Sequence, residues 1–485
     1  MEDIQTFIGE IEDYCRDNAI AESTFGRLTV NDGKFVSRLR AGRGVTMRTV
    51  DRVRKYMTKD QPAAPRDNGS GTAALPDNLP LKREAAPKGN GAGGKQKAKV
   101  YSRVTPLDEN GEPKAFRFYD NRQKYLMFVN TCSEKWVVAE RVGMELAQVQ
   151  PKPPALRLFD AGMGDGTVLT RVMRDMHRRH PTVPFVIVGK EISLEDVRLS
   201  LEKMSDRFFE HPATVLVVTN LYYSEAPQLM PGSVTSAAAL NWHEVPLTGT
   251  TSHEFDEQIK SLKPILSKGW KVKASKKTGN PLYERPSVMV IYREDQRFVV
   301  DPVIPRPGRF QGQYDMIMAS QPYRAGMSPA FKVEKVLAPL AKSLAPGGRM
   351  LGIHSYGRDP GLDIIQGIWP GRELNQSSRH ELMKVLKQTL GKSERDLRFN
   401  TYADNRSLFR YDMHTLPSEI GGESIGTSTL FAAWNAAIYV YQIEDHLIGD
   451  AVSDGHYLTA TEEALRQHGG LWFLNESFVV SRKRS

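Results

Sequence analysis

One stretch constrains this chain more than any other: Leu156-Arg-Leu-Phe-Asp160-Ala-Gly162-Met-Gly164-Asp-Gly166-Thr167. An apolar strand ends in an acid, three glycines alternate, and a helix begins. Glycine lets the backbone turn sharply and approach a ligand closely. The acid at the strand end can hold the turn or a cationic group. Dinucleotide folds use related turns, but their G-x-G-x-x-G spacing is absent here, where the glycines read G-x-G-x-G.

Strand-like and helix-like segments alternate from about residue 100 to residue 485. Apolar runs at 156–162, 184–191, 213–220, 232–240, 314–320, 348–356 and 471–483 read as strands. Helical periods fall at 167–179, 194–208, 331–344 and 459–468. This alternation predicts an α/β fold: a sheet with helices on both faces and right-handed crossovers between parallel neighbours. A chain of this length has room for about two to four domains and a sizeable core.

The second strand, FVIVGKEIS, ends in Glu191, and the third, VLVVTNL, ends in Asn220. Further on, LAPLAKSLAPGGRMLGI gives a helix, a Pro-Gly-Gly turn and a strand. In this order the series resembles the class I S-adenosylmethionine-dependent methyltransferases, over about residues 120–245 and 314–356, with a final strand at 471–483. The resemblance implies a Rossmann-like methyltransferase sheet and S-adenosyl-L-methionine as cofactor. It implies that Asp160, Gly162, Gly164 and Gly166 surround the methionine part of the cofactor. It also implies that Glu191 binds the ribose hydroxyls through its two oxygens, and that Asn220 and Leu221 meet the adenine. The family often has an acid where Asn220 stands. The sulfonium carbon is already activated, so such a fold need only align an acceptor and exclude water; no catalytic triad is required.

Two segments compete for the fourth strand: 234–245 (VTSAAALNWHEV) and 314–323 (YDMIMASQPY). Between them lies an extra block, about 246–313, expected to be an α/β insertion. It holds a helix, a basic stretch and two antiparallel strands, SVMVIYRE and QRFVVDPVIPRPG. An insertion there would overhang the methyl-transfer end of the pocket and serve substrate recognition. Asn241 and His243, in Asn-Trp-His-Glu, offer amide and acid/base groups, with a core histidine beside a tryptophan as the plainer reading. Ser320-Gln321-Pro322-Tyr323 resembles the Asn/Asp/Ser-Pro-Pro-Tyr tetrapeptide of amino-methylating nucleic-acid methyltransferases, with Gln in place of the first proline. In those enzymes the polar residue and a backbone carbonyl hold the target amine, and the aromatic stacks on a flipped base. The alternative for Ser320 and Tyr323 is a structural strand end. Lys271, Lys273, Lys276 and Lys277, with Trp270 and Tyr283, either touch a nucleic-acid backbone or form a solvated hairpin. His354 either lines the pocket or caps its strand. The histidines show no metal-ligand spacing, and no metal is expected. Residues 360–470 are expected to form a helical cap or a subunit interface.

Ahead of this region, about residues 1–58 read as four short helices. Ile4, Ile8, Ile11 and Cys15 recur at helical spacing; Phe35, Val36 and Leu39 mark the third helix, and Val50, Val53 and Met57 the last. Thr24 to Leu39 resembles a helix-turn-helix of the phage-repressor type. That implies a helix entering a DNA major groove, with Lys34, Ser37 and Arg38 outward and Arg40 and Arg43 just beyond. Residues 27–59 carry ten Lys/Arg against two acids, in a chain of net charge +9. The alternative is a small solvated bundle used for dimerisation. Residues 59–99 are rich in Gly, Pro, Ala and Lys and predict a flexible linker, followed by a methyltransferase-like domain over 100–485.

Only two cysteines, Cys15 and Cys132, are present, which excludes a disulfide framework and a cysteine-rich zinc site. No apolar run approaches the ~18 residues of a membrane span, and the acidic start lacks a signal pattern. A cytoplasmic protein without membrane contact is therefore expected. Three functions fit: a methyltransferase of unknown acceptor guided by its N-terminal module, a DNA amino-base methyltransferase using Ser320 to Tyr323, and a regulator that binds S-adenosylmethionine as a signal with little catalysis.

Overall fold

The computed structural model describes residues 4–17, 20–30, 32–41, 45, 49–50, 53–54, 56–57, 122–275, 281–371, 377–400, 402–443 and 445–484. The expected linker at 59–99 and Arg43 lie outside the described residues, as do Lys276 and Lys277. The chain divides into two compact units, Met1–Ala98 and Lys99–Ser485.

In the first unit, α1 (Ile4–Asp17), α2 (Glu22–Val30) and α3 (Phe35–Arg40) surround a core of Ile8, Ile11, Phe25, Phe35, Val36, Leu39 and Val53. Met57 packs at its margin. Asp32 fixes the entry to α3 by accepting from the Lys34 amide at 3.0 Å, the use a short acid has before a helix.

The second unit contains β1 (Leu156–Asp160), β2 (Phe185–Lys190), β3 (Thr214–Thr219), β4 (Asn241–Leu247), β5 (Val272–Ala274), β6 (Pro281–Tyr283), β7 (Ser287–Arg293), β8 (Tyr314–Ser320), β9 (Leu344–Ser355), β10 (Leu397–Asn400), β11 (Leu408–Asp412) and β12 (Trp472–Arg482). Its helices include α4 (Arg122–Thr131), α5 (Glu134–Leu146), α6 (Thr167–Arg179), α7 (Leu194–Glu202), α8 (Val234–Ala238), α9 (Ser252–Lys260), α10 (Lys263–Gly269), α11 (Pro360–Ile368), α12 (Arg379–Leu390), α13 (Thr427–Tyr441) and α14 (His456–His468). Ten strands form one sheet in the order β10-β12-β9-β8-β1-β2-β3-β7-β4, with β11 also on β12; β5 and β6 pair apart from it.

Every residue of β2 and β3 is buried, as their near-continuous Val/Ile/Leu runs require of strands covered on both faces. Phe159, Val186, Val188, Val215 and Val217 face one layer, with Leu340, Leu382 and Leu386. Leu158, Ile187, Leu216 and Val218 face the other, with Val142 of α5 and Leu169 and Val172 of α6. β1 pairs parallel with β2 on one side and with β8 on the other. The strand order therefore reverses beside β1, and a crevice opens at the carboxyl tips there.

This pairing makes β8, and not 234–245, the fourth strand. Three expectations change with it. Residues 232–240 are not a strand: the Ser233 hydroxyl accepts from Ser236 N and starts α8, none of whose residues is buried. Serine at an N-cap followed by alanines favours a helix. β4 begins only at Asn241 and pairs parallel with β7, which itself lies antiparallel to β3. The expected strand QRFVVDPVIPRPG is instead a series of helical turns, Glu294–Gln296, Arg297–Val300 and Asp301–Val303; Pro302 has no amide to give a ladder.

Helices α4, α11, α13 and α14 gather over Phe128, Ile364, Ile365, Trp434, Leu465 and Phe473. α11, α13 and α14 fall within 360–470, while β10 and β11 of the same stretch join the main sheet. α13 is buried from Ala433 through Tyr441, so no polar face gave it a helical period. No helix among the described residues is long and apolar enough to cross a membrane.

Candidate functional site

A cleft of about 750 Å³, mouth included, lies at the tips of β1, β8 and β9. Its floor is the β1–α6 turn, its far wall is Ser320, Gln321 and Ser355, and its roof is Tyr125 and Phe128 of α4 with Tyr439 of α13. Asp160, Gly162 and Gly164 line it. Gly164 has φ +53°, and a Cβ there would stand 3.2 Å from the Tyr125 hydroxyl. Gly166 does something else. At φ +76° a Cβ would fall 2.5 Å from Ser200 Oγ, so this glycine lets α6 start against α7 and does not border the cleft.

Glu191 stands at the tip of β2 and reaches back to the turn. One carboxylate oxygen accepts from Gly164 N at 2.9 Å; the other accepts from Ile192 N at 2.8 Å and Ser193 N at 2.9 Å. These bonds clamp the glycine turn to the second strand. Burial, then the nearby Asp196, push the Glu191 carboxyl above its usual range, against Lys190 and the backbone amides.

Asp160 and Asp165 sit in contrasting fields. Burial, then the charge of Glu191, push Asp160 up to about 8, while the Gly162 amide and Lys135 pull the other way. Burial also acts on Asp165, but hydrogen bonds from Lys203 and Thr167 outweigh it and bring that carboxyl down to about 2. Asp165 accepts from Lys203 Nζ at 2.5 Å, Thr167 Oγ1 at 2.5 Å and the Tyr125 hydroxyl at 2.9 Å. Lys135 also borders the cleft. Burial lowers its ammonium, but Glu134 and Asp165 more than offset this and hold it above its ordinary value. Asp165, Lys135, Tyr125 and Tyr439 were not foreseen from sequence. The signal for Asp165 was local: an acid two residues before a helix-starting Thr167. The other three come from helices with no motif.

Asp160 yields a prediction. Unfolded, its carboxyl ionises near 3.9; folded, near 8. Between those values the folded unit holds the extra proton, so this group's contribution to stability falls as pH rises. Asp160→Asn is expected to melt about 2–4 °C above the parent at pH 8, roughly 1 kcal/mol, and to converge on it toward pH 4. Calorimetric melts across that range check this; a pH-independent difference would mean Asp160 is already ionised when folded.

Several expected residues lie elsewhere. Asn220 is fully buried, and its amide is spent: Nδ2 donates to Gly269 O and Arg285 O, each at 2.9 Å, and Oδ1 accepts from Ser287 N at 2.8 Å. No donor remains for adenine. The Leu221 amide donates to Thr219 Oγ1 at 3.3 Å, and its side chain is in the core. Asn241 and His243 ride β4 at the sheet edge, beyond β2, β3 and β7 from β1, and have no access to the cleft. Ser320 lines the cleft but Tyr323 does not. The Tyr323 ring is buried under Lys332 Nζ at 5.2 Å, and its hydroxyl meets His354 Nδ1 at 2.9 Å. The carbonyl of Pro322 is taken by the Tyr223 hydroxyl at 3.0 Å. Base stacking on Tyr323 is therefore excluded in this arrangement, and His354 holds a strand end.

In the first unit, Lys34, Ser37, Arg38 and Arg40 are exposed. Arg38 pairs with Asp32. Arg40 bonds Glu12 of α1 and Glu22 of α2 at 2.5 Å each, tying three helices together. Groups of three or more metal-ligating side chains are absent among the described residues.

No protein-family model matches the chain, and no curated protein matches it in sequence. Among solved structures it is similar to a geranyl diphosphate methyltransferase in complex with GPP and sinefungin, at 13% identity and TM-score 0.27, over 71% of this chain and 78% of that one. A geranyl diphosphate methyltransferase in complex with SAM gives 11% identity and TM-score 0.27, over 71% and 85%. PKMT2 from Rickettsia typhi gives 11% identity and TM-score 0.21, over 76% and 54%. These superpositions are loose; the strand order and the cleft are properties of this chain itself.

Proposed function

We propose that the second unit binds S-adenosylmethionine in the cleft and transfers its methyl group to an acceptor, and that the first unit, residues 27–59 included, supplies contact with DNA. The observation that carries the reading is the clamp from Glu191 to Gly164, at a strand-order reversal, over a buried acid. The residues present fit an amino acid with both its charges. An ammonium beside Asp160 would draw the proton off its carboxyl, and Lys135, 3.1 Å from Glu134, is near enough to the cleft for a carboxylate, while Gly162 leaves open space, its nearest Cβ neighbour being Ser320 O at 3.9 Å. Glu191 spends its oxygens on three amides and has room for one further donor such as a sugar hydroxyl. The adenine contact assigned to Asn220 does not fit.

When bound, the cofactor supplies an electrophilic methyl carbon. Toward it the chain presents neutral groups, Ser320, Gln321 and Ser355, which orient an acceptor by hydrogen bonds. Tyr125, Phe128 and Tyr439 roof the cleft and keep water out. Titrating the full chain with S-adenosylhomocysteine by calorimetry tests the binding. Saturable heat at micromolar ligand is expected, and its absence sinks the reading. Labelled cofactor with DNA, RNA or cell extract then sorts the outcome. Transfer of label supports an enzyme; binding without transfer supports a sensor.

A further inference from the structure

We propose that the β5–β6 hairpin and its root form a nucleic-acid docking surface that holds the phosphate backbone and not the bases. Residues 261–285 contain seven Lys/Arg against one acid, Glu284. Lys263, Lys268, Lys271, Lys273 and Arg285 are all exposed. Some cations elsewhere in the unit are paired: Arg198 with Glu195 and Glu202, Arg293 with Asp295, Arg349 with Glu145. These five have no carboxylate partner among the described residues. Lys268, Lys271 and Arg285 line a single recess with Glu284. A cluster of like charges held on an ordered scaffold repels itself unless a polyanion neutralises it.

The geometry suits phosphates. Lys271 continues the strand pairing, its carbonyl accepting from Glu284 N at 2.9 Å, so Lys271 and Lys273 point to one side about 7 Å apart. That is about two nucleotide rises along one strand of a duplex. The aromatics take no part. Trp270 is 1% exposed and Tyr283 9%, the latter stacked on Tyr222 at 4.5 Å. Without a stacking platform the contact is indifferent to sequence. A lipid surface would need an apolar face to insert, and the hairpin's one large exposed apolar side chain among the described residues is Val272.

The root of the hairpin is fastened to residues that follow β2 and β3. Gly269 O accepts from Asn220, and the Trp270 indole donates to Glu191 O at 2.9 Å. The hairpin is thus tied to the tips of β2 and β3. The proposal stands whatever the cleft binds.

The test uses the full chain and a variant carrying Lys268→Gln, Lys271→Gln, Lys273→Gln and Arg285→Gln. Fluorescence anisotropy with a labelled DNA duplex, and separately a single-stranded RNA, is read across a potassium chloride series. The expected result is that the variant loses up to about 3.6 from the slope of log K against log salt on duplex, at ~0.9 for each of four phosphates, and binds at least tenfold more weakly at the lowest salt. A variant matching the parent on both nucleic acids overturns the proposal, as does a parent that binds neither. So does a variant that loses only binding to polyglutamate or to phosphatidylserine vesicles. S-adenosylhomocysteine titration of the same variant is expected to be unchanged, which keeps failure of this surface separate from failure of the cleft.

Discussion

Replacing Glu191 with alanine is expected to weaken S-adenosylhomocysteine at least ~100-fold, about 2.7 kcal/mol, and to loosen the glycine turn. The carboxylate accepts from three backbone amides, and Gly164 N is one of them. Bonds to a charged acceptor are the strong ones, and each amide left without a partner costs roughly 1–3 kcal/mol if water cannot replace the acceptor. Truncation therefore frees the turn that shapes the cleft and removes the group offered to the sugar. Glu191→Gln keeps a carbonyl oxygen for an amide and is expected to hold the turn better than it holds the ligand. Calorimetry reads affinity, and amide exchange at Gly164 reads the turn. Should Glu191→Ala free the Gly164 amide yet leave affinity within about threefold, the carboxylate is a clamp alone and the nucleoside is held elsewhere.

The legible part of this protein was the part written in consecutive residues. β2 and β3 are buried on both faces, so each is a nearly continuous apolar run, and the glycine turn follows β1 directly. Asp160, Gly162 and Gly164 reach the cleft because the chain itself delivers them there. Choosing between 234–245 and 314–323 needed the pairing of Leu158 with Met316 across the sheet, a relation between distant segments that neither run contains. Alanine and valine at 232–240 satisfy a strand period and a helix equally; Ser233 decides the matter locally. Asn220 occupies the strand tip expected of an adenine contact. Only the carbonyls of Gly269 and Arg285, brought in by the insertion, make it a joint instead. The roof of the cleft was invisible for a different reason. From Ala433 to Tyr441 α13 is buried all round, packed by α4, α11 and α14, and a helix buried all round carries no amphipathic signature.

Breaking the Arg379–Glu476 pair is expected to be the most destabilising single change that leaves the cleft intact. Arg379 is 2% exposed and Glu476 1%. The Glu476 carboxylate accepts from Arg379 N at 2.8 Å, Arg379 NH1 at 3.0 Å and His354 Nε2 at 2.8 Å. Arg379 NH2 also reaches Asp404 at 2.5 Å, and His354 passes the chain on to Tyr323. The network joins β9, β12, α12 and the loop after β8. Arg379→Met leaves a buried carboxylate short of its counter-charge, which costs about 3–5 kcal/mol. A melting temperature lower by about 5–10 °C at pH 7.5 follows. Burial alone would raise the Glu476 carboxyl, but His354 and Arg379 outweigh it and hold it below its ordinary value. That contribution to stability is present above the unfolded value of about 4.3 and is lost as pH falls through the folded one. The deficit of Arg379→Met is therefore expected to shrink as pH approaches 4, where protonation relieves the stranded charge. Arg379→Met with Glu476→Gln should recover part of the loss at pH 7.5, since neutral partners cost less than a lone buried ion. Tyr323→Phe removes one end of the chain without touching the cleft. It is expected to lower the melt slightly and leave S-adenosylhomocysteine affinity and methyl transfer within about twofold; a large loss of transfer at unchanged stability would return Tyr323 to the acceptor site.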